Sequence, residues 1–181
     1  MTGDSVHVVV AVFDTQEGAE AARKALKASR DEEMIGIRAS IAVHKDEADQ
    51  IHYSDTGLTA GKGAVEGAIL GAVASILTGG AGLALGAAGA LVGGLVGKKK
   101  QEDNVADRRL NQLAASLGPD SSALAVVMDP GWGAVIEKEL QQGMGARLFT
   151  ADVPVEAGAN QEAAYAALLG RLQPRDDLDA S

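Results

Sequence analysis

Cysteine is absent from the 181 residues, which excludes disulfides, thiolate metal sites and thiol nucleophiles. Aromatic residues make up only 3%. Phe13, Tyr53, Trp132, Phe149 and Tyr165 are too few and too scattered for a membrane-interface belt or a base-stacking platform. Basic residues are also scarce: 16 Lys and Arg stand against 25 Asp and Glu, a formal charge of −9. Phosphate neutralisation needs a basic surface, so nucleic acid is excluded as a partner. Met1 to Ser5 shows neither the basic nor the apolar region of a secretory signal, and a cytoplasmic start is expected. The largest deficit is local. From Gly67 to Gly97 there is no charged side chain.

The length suits one domain with an insertion, and the chain divides into residues 1–60, 61–100, 101–173 and an acidic tail, 174–181. In the first block, Val6 to Phe13 is a β-branched run suited to a central strand. Asp14-Thr15-Gln16-Glu17 has the pattern of a capping box opening a helix whose acids come early and whose bases come late. Residues 35 to 43 alternate, with Ile35, Ile37, Ala39, Ile41 and Val43 on one side, which predicts a half-exposed strand. Ile51-His52-Tyr53 then returns as a hairpin arm.

The third block repeats this grammar. A helix running to Leu117 is stopped by Gly118-Pro119, and Ala123 to Met128 is a buried strand. Asp129-Pro130 caps a helix ending near Gly143, residues 146 to 153 form a strand, and Asn160 to Leu172 a helix. With the middle set aside, the order βαβ–βαβ predicts an α+β fold. Its simplest form is the ferredoxin-like split βαβ arrangement: a four-stranded antiparallel sheet with helices on one face and an inserted apolar helical hairpin. The tail from Pro174 is expected to fray.

Within the insertion, small residues recur at helical spacing. Gly63, Gly67, Gly71 and Ser75 form one row, Gly82, Gly86, Ala90 and Gly94 another, and Gly89, Gly93 and Gly97 a third. Such rows make flat grooves that let backbones approach. The bulky side carries Ile69, Leu70, Val73, Ile76, Leu77, Leu83, Leu91 and Leu95, which need a water-free neighbour, either lipid or protein. Thr78-Gly79-Gly80 breaks the segment into two arms of about 22 and 25 Å. Lys62 and Lys98 to Lys100 then fall on one side, which the positive-inside tendency assigns to the cytoplasm.

The stretches VVVAVFDTQEGAEAARKAL, SIAVHKDEADQIHY and GPDSSALAVVM, together with the Gly/Ala insertion, resemble a family of bacterial predicted membrane proteins of unknown function, catalogued as domain-of-unknown-function family twelve-sixty-nine. The likeness spans most of residues 6 to 153. It implies a cytoplasmic ferredoxin-like domain carrying a glycine-zipper hairpin, with no catalytic residues to transfer.

Chemistry is thinly represented. His44 and His52 flank one hairpin turn, near enough to share a metal with Asp46 or Glu47, but no third ligand is fixed and no metal is assigned. His7 reads as a structural or fraying residue beside the first strand. The glycines from Gly57 to Gly63 lack phosphate-loop spacing, and no cofactor is expected. Glu66, one turn into the apolar arm, is the one possible functional acid, able to pair with Lys62. No nucleophile-base pair is evident, so no enzyme is expected. The function expected is non-enzymatic: a self-associating structural or membrane-associated protein. It would be attached to the inner membrane or part of a soluble cytoplasmic assembly, its expected partners further copies of itself and, in the membrane case, a bilayer. The alternative is a small-ligand or stress-sensing ferredoxin-like module. On this reading, removing residues 64 to 97 leaves a soluble small domain.

Overall fold

The β-branched run at the start becomes β1, Ser5–Phe13, the axis of a mixed α/β architecture. This is a computed structural model that describes residues 4–33, 36–48, 50–54, 63–77 and 105–175. The other strands are β2 (Ile37–Lys45), β3 (Ile51–Ser54), β4 (Ser122–Met128), β5 (Arg147–Pro154) and β6 (Gln173–Arg175). They form one six-stranded sheet in the order β3-β2-β4-β1-β5-β6, antiparallel at every pairing. The expected count of four is therefore corrected to six. One extra strand is the short hairpin arm β3. The other is β6, at the residues where the tail was expected to fray: Gln173 and Pro174 pair with Thr150 and Phe149, so edge pairing orders the chain through Arg175.

Helices α1 (Gly18–Glu33), α2 (Ala64–Leu77), α3 (Val105–Ser116), α4 (Gly133–Lys138) and α5 (Gln161–Arg171) cover both faces of the sheet, not one. Side chains alternate along β1. Val6, Val8, Val10 and Val12 point to the layer of α2, α3 and α5, whereas Val9, Ala11 and Phe13 point to α1 and α4. A strand buried on both faces reads as a continuous apolar run, which explains the sequence from Val6 to Phe13.

Two local expectations are revised. The alternation over residues 35–43 is interrupted by a register shift between Ile37 and Ala39. A bulge inserts one residue and exchanges the faces beyond it: Ile37 packs with α1 and α4, while Ala39, Ile41 and Val43 pack with α2. Helix α1 begins at Gly18, and its cap comes from another strand. Ser122 Oγ accepts from Ala19 N at 2.9 Å and donates to Thr15 O at 2.6 Å. Asp14 instead pairs with Arg147 at 2.9 Å.

The first arm of the insertion is α2, and it lies in this chain's own core. Ile69, Leu70, Ala72, Val73, Ala74, Ile76 and Leu77 are buried against the sheet and the helices beside it. At roughly 1.5–3 kcal/mol each, the five larger aliphatics contribute about 8–15 kcal/mol of gross burial. One close backbone approach to α2 uses a glycine outside the zipper rows: a Cβ at Gly158, in the 3-10 turn Val155–Ala159, would lie 2.7 Å from Val65 Cα. Among the described residues, no helix is long and apolar enough to cross a membrane.

Candidate functional site

Alternation along β1 places His7 on the Val9 face, beneath α4. Its register partner on β5 is Asp152. His7 Nδ1 lies 2.7 Å from Asp152 Oδ1, and His7 Nε2 lies 2.6 Å from Oε1 of Glu137 on α4. The second oxygen of Glu137 accepts from Arg175 Nε on β6 at 2.9 Å. Four groups of alternating charge, Asp152, His7, Glu137 and Arg175, thus tie three strands to one helix.

The protonation state of His7 follows from partner chemistry. An ionised carboxylate only accepts, and a neutral imidazole has one donor nitrogen, so both bonds require the imidazolium. The hydrogen bond with Glu137 chiefly raises the His7 pKa above its ordinary 6.5; burial opposes this and the bond to Asp152 adds to it. Burial alone would push the Glu137 carboxyl up. The hydrogen bond from His7 and the charge of Arg175 outweigh it and hold Glu137 below the usual carboxylate range. Exposure ranks the members. The Glu137 side chain is 2% exposed and that of Asp152 67% exposed, so Glu137 depends on its protein partners and Asp152 has water as an alternative.

The ring of His7 can approach the start of α4 because residue 133 is glycine; a Cβ there would sit 2.7 Å from His7 Cδ2. Beyond Lys138 the helix widens into a π-turn, Glu139–Gly143. Gln141, in that turn, donates to Arg175 O at 3.5 Å and keeps a buried Oε1 without a partner among the described residues.

A second ion-pair cluster holds the acid singled out in the sequence. Glu66, 8% exposed, meets Arg38 Nη1 at 3.4 Å, and Arg38 also binds Asp129 at 2.7 Å. Asp129 makes no side-chain cap to the turn that follows it; its carboxylate serves Arg38 instead. The Glu66 carboxyl folds back over Gly63, where any Cβ would collide with it. Glu66 thereby joins the first turn of α2 to the bulge of β2. Lys62, its expected partner, lies outside the described residues.

Of the first small-residue row, Gly67 is exposed, with nothing among the described residues within 4 Å of a Cβ placed there, and Ser75 is buried, donating to Gly71 O at 2.9 Å. Gly82, Gly86, Gly89, Ala90, Gly93, Gly94, Gly97, Leu83, Leu91 and Leu95 lie outside the described residues. His44 and His52 face each other across β2 and β3. No group of three or more potential metal ligands occurs among the described residues.

The members of the His7 cluster other than His7 itself escape sequence reasoning because they lie 130 or more positions away in the chain. A signal was present in β1: period-2 alternation puts His7 on a buried face, where an imidazole requires partners. Comparison of the chain with protein-family models, with curated proteins and with solved structures yields no match. The resemblance to the family named above therefore rests on its quoted segments alone.

Proposed function

We propose that the protein is a non-catalytic, self-associating or membrane-associated domain in which α2 anchors the Gly/Ala-rich segment to a folded sheet. The supporting observation is the seating of α2. Its C-terminal residues Ile76 and Leu77 are buried, and the sequence continues through twenty uncharged residues, 78–97, with further leucines and small residues at helical spacing. A segment of that composition finds a water-free neighbour in lipid or in other copies of the chain, and α2 makes the sheet move with it. We also infer that β2, β4, β1 and β5, with α1 and α4 on one face, are the split βαβ core of a ferredoxin-like fold. On this view β3, β6 and the α2–α3–α5 layer are additions, in keeping with the family resemblance.

High-speed centrifugation of a lysate without detergent tests the reading. The full chain is expected either as a large soluble particle or as a pellet released by detergent, and a variant lacking residues 78–97 as a small soluble species that still unfolds cooperatively. A monodisperse monomer of the full chain without detergent overturns it. A second reading, a small-ligand or stress-sensing module, draws on the His7 cluster and on Gln141 Oε1, which has no partner among the described residues.

A further inference from the structure

The hairpin of β2 and β3 sets two imidazoles side by side at the sheet edge. His44 and His52 are directly opposed in the antiparallel register, with ring centroids 4.9 Å apart and planes inclined by 16°. A third side chain acts on the pair. Asp46 Oδ2 lies 2.8 Å from His52 Nε2, and Asp46 Oδ1 accepts from the backbone N–H groups of Ala48 and Gln50, both at 2.9 Å. The carboxylate is fixed by the turn before it touches the histidine.

An ionised carboxylate accepts and cannot donate, so Nε2 of His52 must carry hydrogen; in the neutral ring the lone pair then resides on Nδ1. This is the arrangement in which a carboxylate orients a metal-ligating histidine through its second nitrogen. We propose that His44 and His52 form a two-imidazole site for a late first-row divalent cation of the Cu2+, Ni2+ or Zn2+ class, with Asp46 as the positioning residue and water completing the coordination sphere.

Binding requires the rings to turn. Metal–nitrogen bonds of about 2.0–2.1 Å set adjacent ligand nitrogens about 3 Å apart, and the stacked rings, with centroids 4.9 Å apart and planes inclined by 16°, reach that geometry by rotation about the side-chain bonds of the exposed His52. His52 is exposed and His44 half-buried, so water has access and neither ring is locked in the core. Imidazole donors select these cations over Mg2+ and Ca2+, which take oxygen ligands.

Composition makes the test clean. With no Cys and only three His, the chain has few soft donors to compete. The untagged full chain is titrated calorimetrically with NiCl2 at pH 7.5, with MgCl2 in parallel. One Ni2+ per chain and no heat from Mg2+ are expected. His44→Gln and His52→Gln should each weaken binding by at least tenfold, and Asp46→Asn by about tenfold through loss of orientation alone. Circular dichroism should be unchanged in all three variants. Ni2+ binding that survives loss of both histidines, or no binding of Ni2+ by the wild-type chain up to millimolar concentration, overturns the site. Wild-type affinity in Asp46→Asn overturns the positioning role.

Discussion

The two faces of the sheet solve the same problem with different shares of the same materials. On the α2 side the core is Val, Ile, Ala and Phe149 of the strands under Leu, Ile, Val and Ala of the helical layer, and the charged group buried there, Glu66, sits in the first turn of α2 against Arg38. On the α1 and α4 side the cover is thinner, and its rim holds the Asp152–His7–Glu137–Arg175 chain. Aliphatic burial is non-directional and tolerates imprecise partners. A buried charge tolerates only its own complement. One face therefore carries bulk stabilisation, and the other fixes where α4 and β6 sit.

The strongest test of this contrast is a charge placed on the aliphatic face. Ile69, wholly buried, has no polar partner within its cluster, so Ile69→Asp should cost more than about 4 kcal/mol and abolish cooperative urea unfolding. A variant that unfolds near the wild-type midpoint would show that α2 is not part of the core.

Next in size is the reverse experiment on the polar face. Glu137→Ala removes the buried acceptor that His7 and Arg175 share; because His7 keeps Asp152 and Arg175 is half exposed, the expected cost is about 1–3 kcal/mol. The same cluster gives the molecule a pH signature. Folded His7 holds its proton more tightly than an unfolded imidazole, so its contribution is fully present below about pH 6.5 and is lost as pH rises through the folded value. Glu137 acts in the opposite sense: its contribution is present above about pH 4.5 and is lost as pH falls through its lowered folded value. Urea midpoints should fall on both sides of a plateau, and His7→Gln should flatten the alkaline limb. An unchanged alkaline limb in that variant would mean that His7 does not carry the charge.

A smaller effect, about 0.5–2 kcal/mol, is expected for Ser122→Ala, which removes the hydroxyl that caps α1 at Ala19 N. Thermal melting reads it. A melting temperature equal to that of wild type would return the capping role to Asp14.

Much of the strand and helix order is legible in the sequence because it is local. Val6 to Phe13, Ala123 to Met128 and Asn160 to Leu172 each declare their type through apolar period and composition, and Asn160 does cap α5, accepting from Ala163 N at 2.8 Å. What sequence cannot reach is set by distant partners. The cap of α1 comes from Ser122, the bulge at Arg38 reverses the expected faces of β2, and the cover on the second face comes from the segment read as an appendage. His7 shows the same limit most sharply. Its own position implies burial, but nothing near it names Glu137, Asp152 or Arg175.

The smallest predicted effect discriminates most finely between core and assembly. Gly67 belongs to the small-residue row that reads as a packing groove, yet it is exposed and, among the described residues, a Cβ there meets nothing within 4 Å. In an isolated domain, Gly67→Ala restores helix propensity and should stabilise by about 0.5–1 kcal/mol. If Gly67 lines a contact between copies, the same methyl group holds two backbones apart, and the assembly should shift toward smaller species while each subunit gains stability. Sedimentation velocity and thermal melting on one sample separate these outcomes. A gain in melting temperature with unchanged particle size assigns the exposed face of α2 to solvent and leaves any self-association to residues beyond Leu77.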